Sequence, residues 1–312
     1  MDTNTEMFKN RFVKMYKHFG KWARKQNIDC FRIYDCDIPQ FPFIIDKYDK
    51  YIYVSVFEKK DNLTSEAQHP YLEACIEIIA EITEISTTSI FIKNRIRQKG
   101  NVQYSKLDDR KSEFVIRENN LDFIINLSDY VDTGIFMDHR QTRKMIQDIS
   151  EGKKVLNLFA YTGSFTVYAA AGGATETMTI DMNKTYIDWS KRNMKLNGFS
   201  GQNHKYLVEN VLEWIKEPVE TKYDIIILDP PTFSNSKKMF GTFEIQRDHE
   251  WLIRQTMRHL EKGGQLYFSN NYKKFKLETK TIEATKIKDI TGMTTPPDYK
   301  DRIFRSCYLF EK

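Results

Sequence analysis

The stretch Asp229-Pro230-Pro231-Thr232-Phe233, which follows the apolar run Tyr223 to Leu228, carries the most specific chemistry in the chain. Two consecutive prolines fix the backbone so that carbonyls can face the edge of a planar base, and Phe233 offers a ring for stacking. Pro-Pro after a strand is by itself only a stiff stop; two other loops raise it above that. The run Asn157-Leu158-Phe159-Ala160-Tyr161-Thr162-Gly163-Ser164 has one glycine and no G-x-G-x-x-G, so a pyrophosphate cradle is poorly supported. About twenty residues on, Asp181 ends a second apolar run, where a carboxylate accepts hydrogen bonds from a ribose diol. A nucleoside with a ribose and no bridging phosphates fits both loops, and S-adenosylmethionine is such a cofactor.

These loops need a parallel sheet to hold them. Strand patterns at Lys154 to Phe159, Thr177 to Asp181, Lys205 to Val208, Tyr223 to Leu228 and Gln265 to Ser269 alternate with helical ones at Thr166 to Ala171, Lys184 to Leu196, Val211 to Lys216 and Gln246 to Leu260. The last helix is expected to end at Gly263-Gly264. Alternating helix and strand implies an α/β, Rossmann-like, doubly wound sheet, whose ligands bind beyond the carboxyl ends of the strands.

The first part of the chain reads differently. Phe8, Phe12, Met15, Phe19 and Trp22 fall on one face of a helix, with Lys14, Lys17, Lys21, Arg24 and Lys25 opposite, a stripe that suits either solvent or a phosphate backbone. Short strands are expected at Cys30 to Asp35, Phe43 to Lys47, Tyr51 to Glu58 and Ser89 to Ile92, with a glutamate-faced helix from about Ser65 to Glu84. The segment Lys93 to Gly100 alternates basic residues. Strands Glu113 to Arg117 and Phe123 to Leu127 make a hairpin assigned to the second half. This gives a smaller N-terminal α+β domain, 1–112, which faces RNA on this reading, and a domain 113–312 carrying the doubly wound sheet.

Composition bounds the function. The 312 residues are 40% hydrophobic and 29% charged, which excludes disorder, and no apolar run approaches the length of a membrane span. The N-terminus lacks a secretory layout, so a cytoplasmic protein is expected. Four cysteines, Cys30, Cys36, Cys75 and Cys307, form no C-x-x-C pair, so no metal is expected. The net charge of +5 is modest, but from residue 251 onward thirteen lysines and arginines face seven acids. The basic groups Lys237-Lys238 and Tyr272-Lys273-Lys274-Phe275-Lys276 interleave aromatics as RNA binders do.

The Asn157–Ser164 run, Asp229 through Lys237, and Gln246-Arg247-Asp248-His249 together resemble class I S-adenosylmethionine-dependent methyltransferases of ribosomal RNA. They look like the guanine-N7 half of the bacterial large-subunit enzyme. The likeness runs from Trp22-Ala23-Arg24 through Arg95-Ile96-Arg97-Gln98-Lys99-Gly100 and Thr133 to Arg140 as far as Ser269-Asn270-Asn271. In that family this half is often fused behind a guanine-N2 methyltransferase, which is not among these residues, so a separate N2 enzyme is a partner the resemblance implies.

The resemblance implies a class I sheet, S-adenosylmethionine as cofactor and 23S ribosomal RNA, naked or in a precursor particle, as substrate. Phe159, Ala160, Tyr161, Thr162 and Gly163 would wrap the methionine part, Asp181 would hold the ribose and Met182 would pack on adenine. Asp138 and Arg140 would close the pocket, with Asn157, Val211 and Asp229 also lining it. Asn210 replaces an acid frequent in the family, and its carbonyl can accept from the adenine amino group or cap a helix. Arg95, Arg97, Lys99, Asn235, Ser236, Lys237, Lys238, Asn270, Lys273 and Lys274 would meet RNA.

Target choice follows from chemistry. Pyrimidine C5 methylation needs a thiolate, and the Ser269-Asn270-Asn271 loop has none. Guanine N7 is an in-plane lone pair with no proton to lose, so alignment suffices. Phe233 would stack on the guanine, Pro230 and Pro231 with Asn235 would set its plane, and Asp229 would anchor the loop or receive the base amino group. His139, His204 and His249 read as structural. Two alternatives stay open: transfer to an exocyclic amine (guanine N2 or adenine N6), and a catalytically silent RNA-binding assembly factor. A nicotinamide dehydrogenase is disfavoured by the missing glycine fingerprint.

Overall fold

The computed structural model describes residues 3–57, 70–95, 113–130, 132–234, 242–299 and 305–312. The chain forms two compact units, Met1–Asn120 with Ile125–Thr133, and Leu121–Ile124 with Gly134–Lys312. Residue 112 itself, the expected end of the first domain, lies outside the described residues.

In the first unit, α1 (Thr3–Gln26) is followed by β1 (Cys30–Asp35), β2 (Phe43–Tyr48), β3 (Tyr51–Phe57), α2 (Leu72–Thr83) and β4 (Ile90–Arg95). The sheet order is β1-β2-β3-β4, antiparallel except for the β3–β4 pair. The apolar stripe of α1 forms because positions three and four apart share a face. Phe8 and Phe12 are fully buried against Ile33, Ile45 and Val54 of the sheet and Ile78 and Ile79 of α2, while Met15, Phe19 and Trp22 are partly covered. The helix expected from about Ser65 is seen from Leu72; residues 58–69 lie outside the described set. Strands β5 (Glu113–Glu118) and β6 (Leu121–Asn126) form the expected hairpin, and the division between units runs through it.

The second unit continues with α3 (Arg140–Ile149), β7 (Lys154–Leu158), α4 (Ser164–Ala171), β8 (Glu176–Asp181), α5 (Lys184–Leu196), β9 (His204–Val208), α6 (Val211–Trp214) and β10 (Tyr223–Leu228). A two-stranded ribbon, β11 (Phe233–Ser234) with β12 (Phe243–Glu244), precedes α7 (Ile245–Arg258) and β13 (Leu260–Asn270). The chain ends with β14 (Lys286–Asp289), α8 (Thr291–Thr294) and β15 (Ser306–Glu311). The seven strands lie in the order β9-β8-β7-β10-β13-β15-β14, with β15 antiparallel to both its neighbours and all other pairs parallel. From β7 the chain winds outward through β8 and β9 and then returns to β10, so the switch point lies between β7 and β10. Strands β7 and β10 are almost wholly buried, as a sheet covered on both faces requires.

Two local expectations are corrected. The pair Gly263-Gly264 does not end a helix: α7 stops at Arg258, and both glycines lie inside β13, where the pairing with β10 slips between Tyr223 and Ile225. The helix after Asn210 is also shorter than expected, ending at Trp214.

Candidate active site at the carboxyl edge of the sheet

Parallel register sets the loops side by side. Leu158 pairs with Leu228 on one side and Ile180 on the other, Asp181 with Val208, and Leu228 with Phe268. Phe159, Asp181, Asn210, Asp229 and Ser269 therefore all leave the same edge of the sheet.

The loop after β7 is wound tightly. Phe159 (φ 55°), Tyr161 (φ 50°) and Gly163 (φ 74°) are in the left-handed region, which side chains other than glycine enter only against steric cost. Packing holds them there. The N–H of Ala160 donates to the Ile180 carbonyl at 3.1 Å, and the Tyr161 hydroxyl accepts from the Gly134 N–H at 3.0 Å. Gly163 has a second constraint, since a Cβ there would lie 1.9 Å from Ser190 Oγ on α5. The side chain of Asn157 is occupied within the protein: buried, it donates to Thr166 Oγ1 at 3.0 Å.

Asp181 is buried at the tip of β8. Its Oδ2 accepts from the Tyr161 N–H at 2.9 Å and its Oδ1 from the Asn183 N–H at 2.8 Å. Burial pushes its pKa up to about 6, and the two backbone donors act against that rise. Each oxygen keeps a lone pair for a further donor. Met182 beside it is half-buried. Of the two roles expected for Asn210, the structure shows the helix cap. Its carbonyl accepts from Leu212 N–H at 3.1 Å, capping α6, while its amide nitrogen is buried with no partner among the described residues. The group it holds in reserve is thus a donor, suited to a ring nitrogen of adenine. A buried carboxylate that can take two hydroxyls, beside an orphaned amide donor and the half-buried Met182, fits the adenosine part of S-adenosylmethionine.

After β10, Asp229 is fixed by groups that sequence reading did not connect to it. Ser269 Oγ donates to Asp229 Oδ1 at 2.5 Å, and His139 Nε2 lies 3.5 Å from Asp229 Oδ2. His139 is buried, and desolvation together with the Arg305 charge lowers its pKa to about 4, so it is neutral at physiological pH. Arg305 Nη1 approaches His139 Nδ1 at 3.5 Å, which leaves Nε2 to carry the ring proton and point it at Asp229. Arg305 also meets Asp138 (Nε–Oδ2 3.2 Å), and Arg140 meets the buried Asp298 at 3.3 Å. The Asp138–Arg140 segment is thereby tied to the C-terminal part of the chain. No spacing rule links these residues; the nearest sequence signal was His139 beside Asp138 and Arg140.

Pro230 is buried, Pro231 is half-buried, and Phe233 on the β11–β12 ribbon is 47% exposed, a large ring left open to solvent. Beside it Thr232 donates to Asn271. Asn270 is buried, its carbonyl accepting from Tyr272 N–H and its amide nitrogen without partner among the described residues, while Lys273 and Lys274 are exposed. Arg97, Lys99, Asn235, Ser236, Lys237 and Lys238, and the side chain of Arg95, lie outside the described residues. All four cysteines are free; Cys307 is buried, and its thiol is pushed up to about 11, so it holds no thiolate at neutral pH.

A seven-stranded sheet of this order, with a ribose-type carboxylate after its second strand and an Asp-Pro-Pro loop after its fourth, defines a nucleoside-cofactor group-transfer enzyme. The chain belongs to the S-adenosylmethionine-dependent methyltransferase family, whose model matches residues 45–306, and within it to the large-subunit ribosomal RNA methyltransferase K group. It is 42% identical over 308 residues to ribosomal RNA large subunit methyltransferase K of Neisseria meningitidis, a match covering 98% of this chain and 87% of that protein. It is 41% identical over 305 residues to ribosomal RNA large subunit methyltransferase K/L of Aeromonas hydrophila, covering 97% of this chain but only 42% of that longer protein. A methyltransferase solved with SAH shares the fold at a TM-score of 0.77 and 23% identity, over 100% of this chain and 83% of the other.

Proposed function

We propose that the protein transfers the methyl group of S-adenosylmethionine to N7 of a guanine in large-subunit ribosomal RNA. The observation that carries this reading is the Asp229 loop: a carboxylate anchored by Ser269, rigid Pro230 and Pro231, and the open ring of Phe233. The names of the Neisseria and Aeromonas relatives supply the RNA class. The bound cofactor supplies an electrophilic methyl group next to a sulfonium charge.

The residues of this chain do the positioning. Asp181 accepts the ribose hydroxyls, Asn210 donates to adenine, Met182 packs on its ring, and the Phe159–Gly163 loop surrounds the methionine part, with Asp138 and Arg140 closing the side. Phe233 stacks on the target guanine while Pro230 and Pro231 set its plane. Asp229, acceptor-only when ionised, receives an N–H of the base and opposes the positive charge that grows on the ring as N7 is methylated. Alignment, not proton removal, is the main demand. Neutral His139, with its pKa near 4, is a poor proton acceptor, and N7, with no proton to lose, needs none. Cys307, buried as a thiol, cannot serve pyrimidine C5 chemistry. Because neighbouring bases cover both faces of a stacked guanine, the base turns out of its helix to meet Phe233. Asn270, Lys273 and Lys274 contact the flanking RNA, as do Arg95, Arg97, Lys99 and the Asn235–Lys238 segment.

The test uses the cationic character of 7-methylguanine. Protein-free large-subunit RNA, methylated in vitro, is treated with borohydride and then aniline. Strand scission at one guanine, absent without cofactor and absent with Asp229→Ala, is expected; label incorporation without scission would place the methyl group on another atom.

A further inference from the structure

The chain holds no aspartate or glutamate from Met7 to Ile28, a stretch with seven lysines and arginines. Two of them are neutralised within the first unit: Lys9 pairs with Glu81 at 2.8 Å and Arg11 with Asp37 at 2.7 Å. The other five, Lys14, Lys17, Lys21, Arg24 and Lys25, are exposed on α1 and have no carboxylate partner among the described residues. Their steps of three and four keep them on one face, a stripe about 16 Å long at 1.5 Å per residue. The neighbouring helix α2 has the opposite sign: it exposes Glu73, Glu77 and Glu81, with Glu84 just after its end.

A merely solvated surface has no reason to sort its charges by helix. Mixed signs would give favourable pairs at i and i+4, whereas Lys17–Lys21 and Lys21–Lys25 repel along α1. Lipid is excluded as the partner, because an interfacial helix needs its apolar face free, and that of α1 is committed to the core through Phe8 and Phe12. What remains is a polyanion. Four of the five groups are lysine ammonium ions, which act as point charges and suit phosphates better than base edges.

We infer that the exposed face of α1 is a docking surface for the sugar–phosphate backbone of the RNA substrate, with the acidic face of α2 repelling RNA and so fixing which side of the first unit it meets. This rests on the reading of RNA as substrate. Such contacts are equally strong before and during methyl transfer, so they lower KM for RNA and leave kcat alone.

The decisive variant is Lys14→Glu/Lys17→Glu/Lys21→Glu, with Lys14→Gln/Lys17→Gln/Lys21→Gln as a milder companion that keeps the helix-forming side chains. The control is Lys153→Glu/Lys195→Glu/Lys216→Glu, the same charge change at exposed positions where β7 begins and α5 and α6 end, away from the carboxyl edge of the sheet. RNA binding and methylation are measured over a range of salt. The glutamate triple is expected to raise KM and the RNA Kd at least about tenfold and to lower the slope of log affinity against log salt by about two, with kcat and cofactor binding unchanged; the glutamine triple shows part of this and the control almost none. Equal effects of the α1 and control triples, or no effect of the α1 triple, would overturn the proposal. A wild-type protein that binds RNA through this face yet methylates none would sink the proposed activity and leave the docking surface standing.

Discussion

Burial raises the pKa of Asp181 to about 6, and the same carboxylate is proposed to accept the ribose hydroxyls. In the free protein the native state binds more protons than the unfolded chain between about pH 4 and 6, so this group lowers stability as pH rises through that window. Cofactor binding has the opposite sign, because only the ionised form accepts both hydroxyls. Cofactor affinity measured by calorimetry should be full above about pH 6 and fall up to tenfold per pH unit below it; Asp181→Asn should weaken binding at least about tenfold and flatten the pH dependence. Ser269 supports Asp229 through a charge-assisted hydrogen bond. Ser269→Ala is expected to lower kcat about ten- to a hundredfold while cofactor affinity and melting temperature barely move. At this scale the placement of Asp181 and Asp229 at the carboxyl edge of the sheet was legible, because residue type and position after a strand suffice. Ser269 and His139 were not legible as partners of Asp229, since their approach depends on the β10–β13 register and on the turn before α3.

The strands of the parallel sheet could be read because buried runs such as Tyr223–Leu228 tolerate little but apolar residues. Strand β14 could not: its four residues are all exposed and show no alternation, and β15 enters between β14 and β13 against the direction of the rest. Pairing across that edge brings Arg305 and Asp298 to the Asp138–Arg140 segment, a placement that depends on tertiary structure. Asp298→Ala should cost about 3–5 kcal/mol, because it removes the carboxylate that the buried Arg140 guanidinium meets at 3.3 Å. Denaturant unfolding would measure this loss. Gly163→Ala should also destabilise, by roughly 2–4 kcal/mol, since the new Cβ meets Ser190 Oγ and the φ of 74° is unfavourable for alanine.

At the scale of the whole molecule, each unit has its own core, and the chain spans about two fifths of the length of the K/L relatives while covering most of the shorter K relative. No described helix is long and apolar enough to cross a membrane. The doubly wound architecture followed from the alternation of apolar periods, but the proposed target atom rests on the assembled edge, where Ser269 and neutral His139 flank Asp229 and the Phe233 ring is open. Nucleoside mass analysis of large-subunit RNA, after incubation with purified protein and labelled S-adenosylmethionine, identifies that atom. A labelled 7-methylguanosine that disappears with Asp229→Ala is the predicted result; N2-methylguanosine or N6-methyladenosine in its place would contradict it.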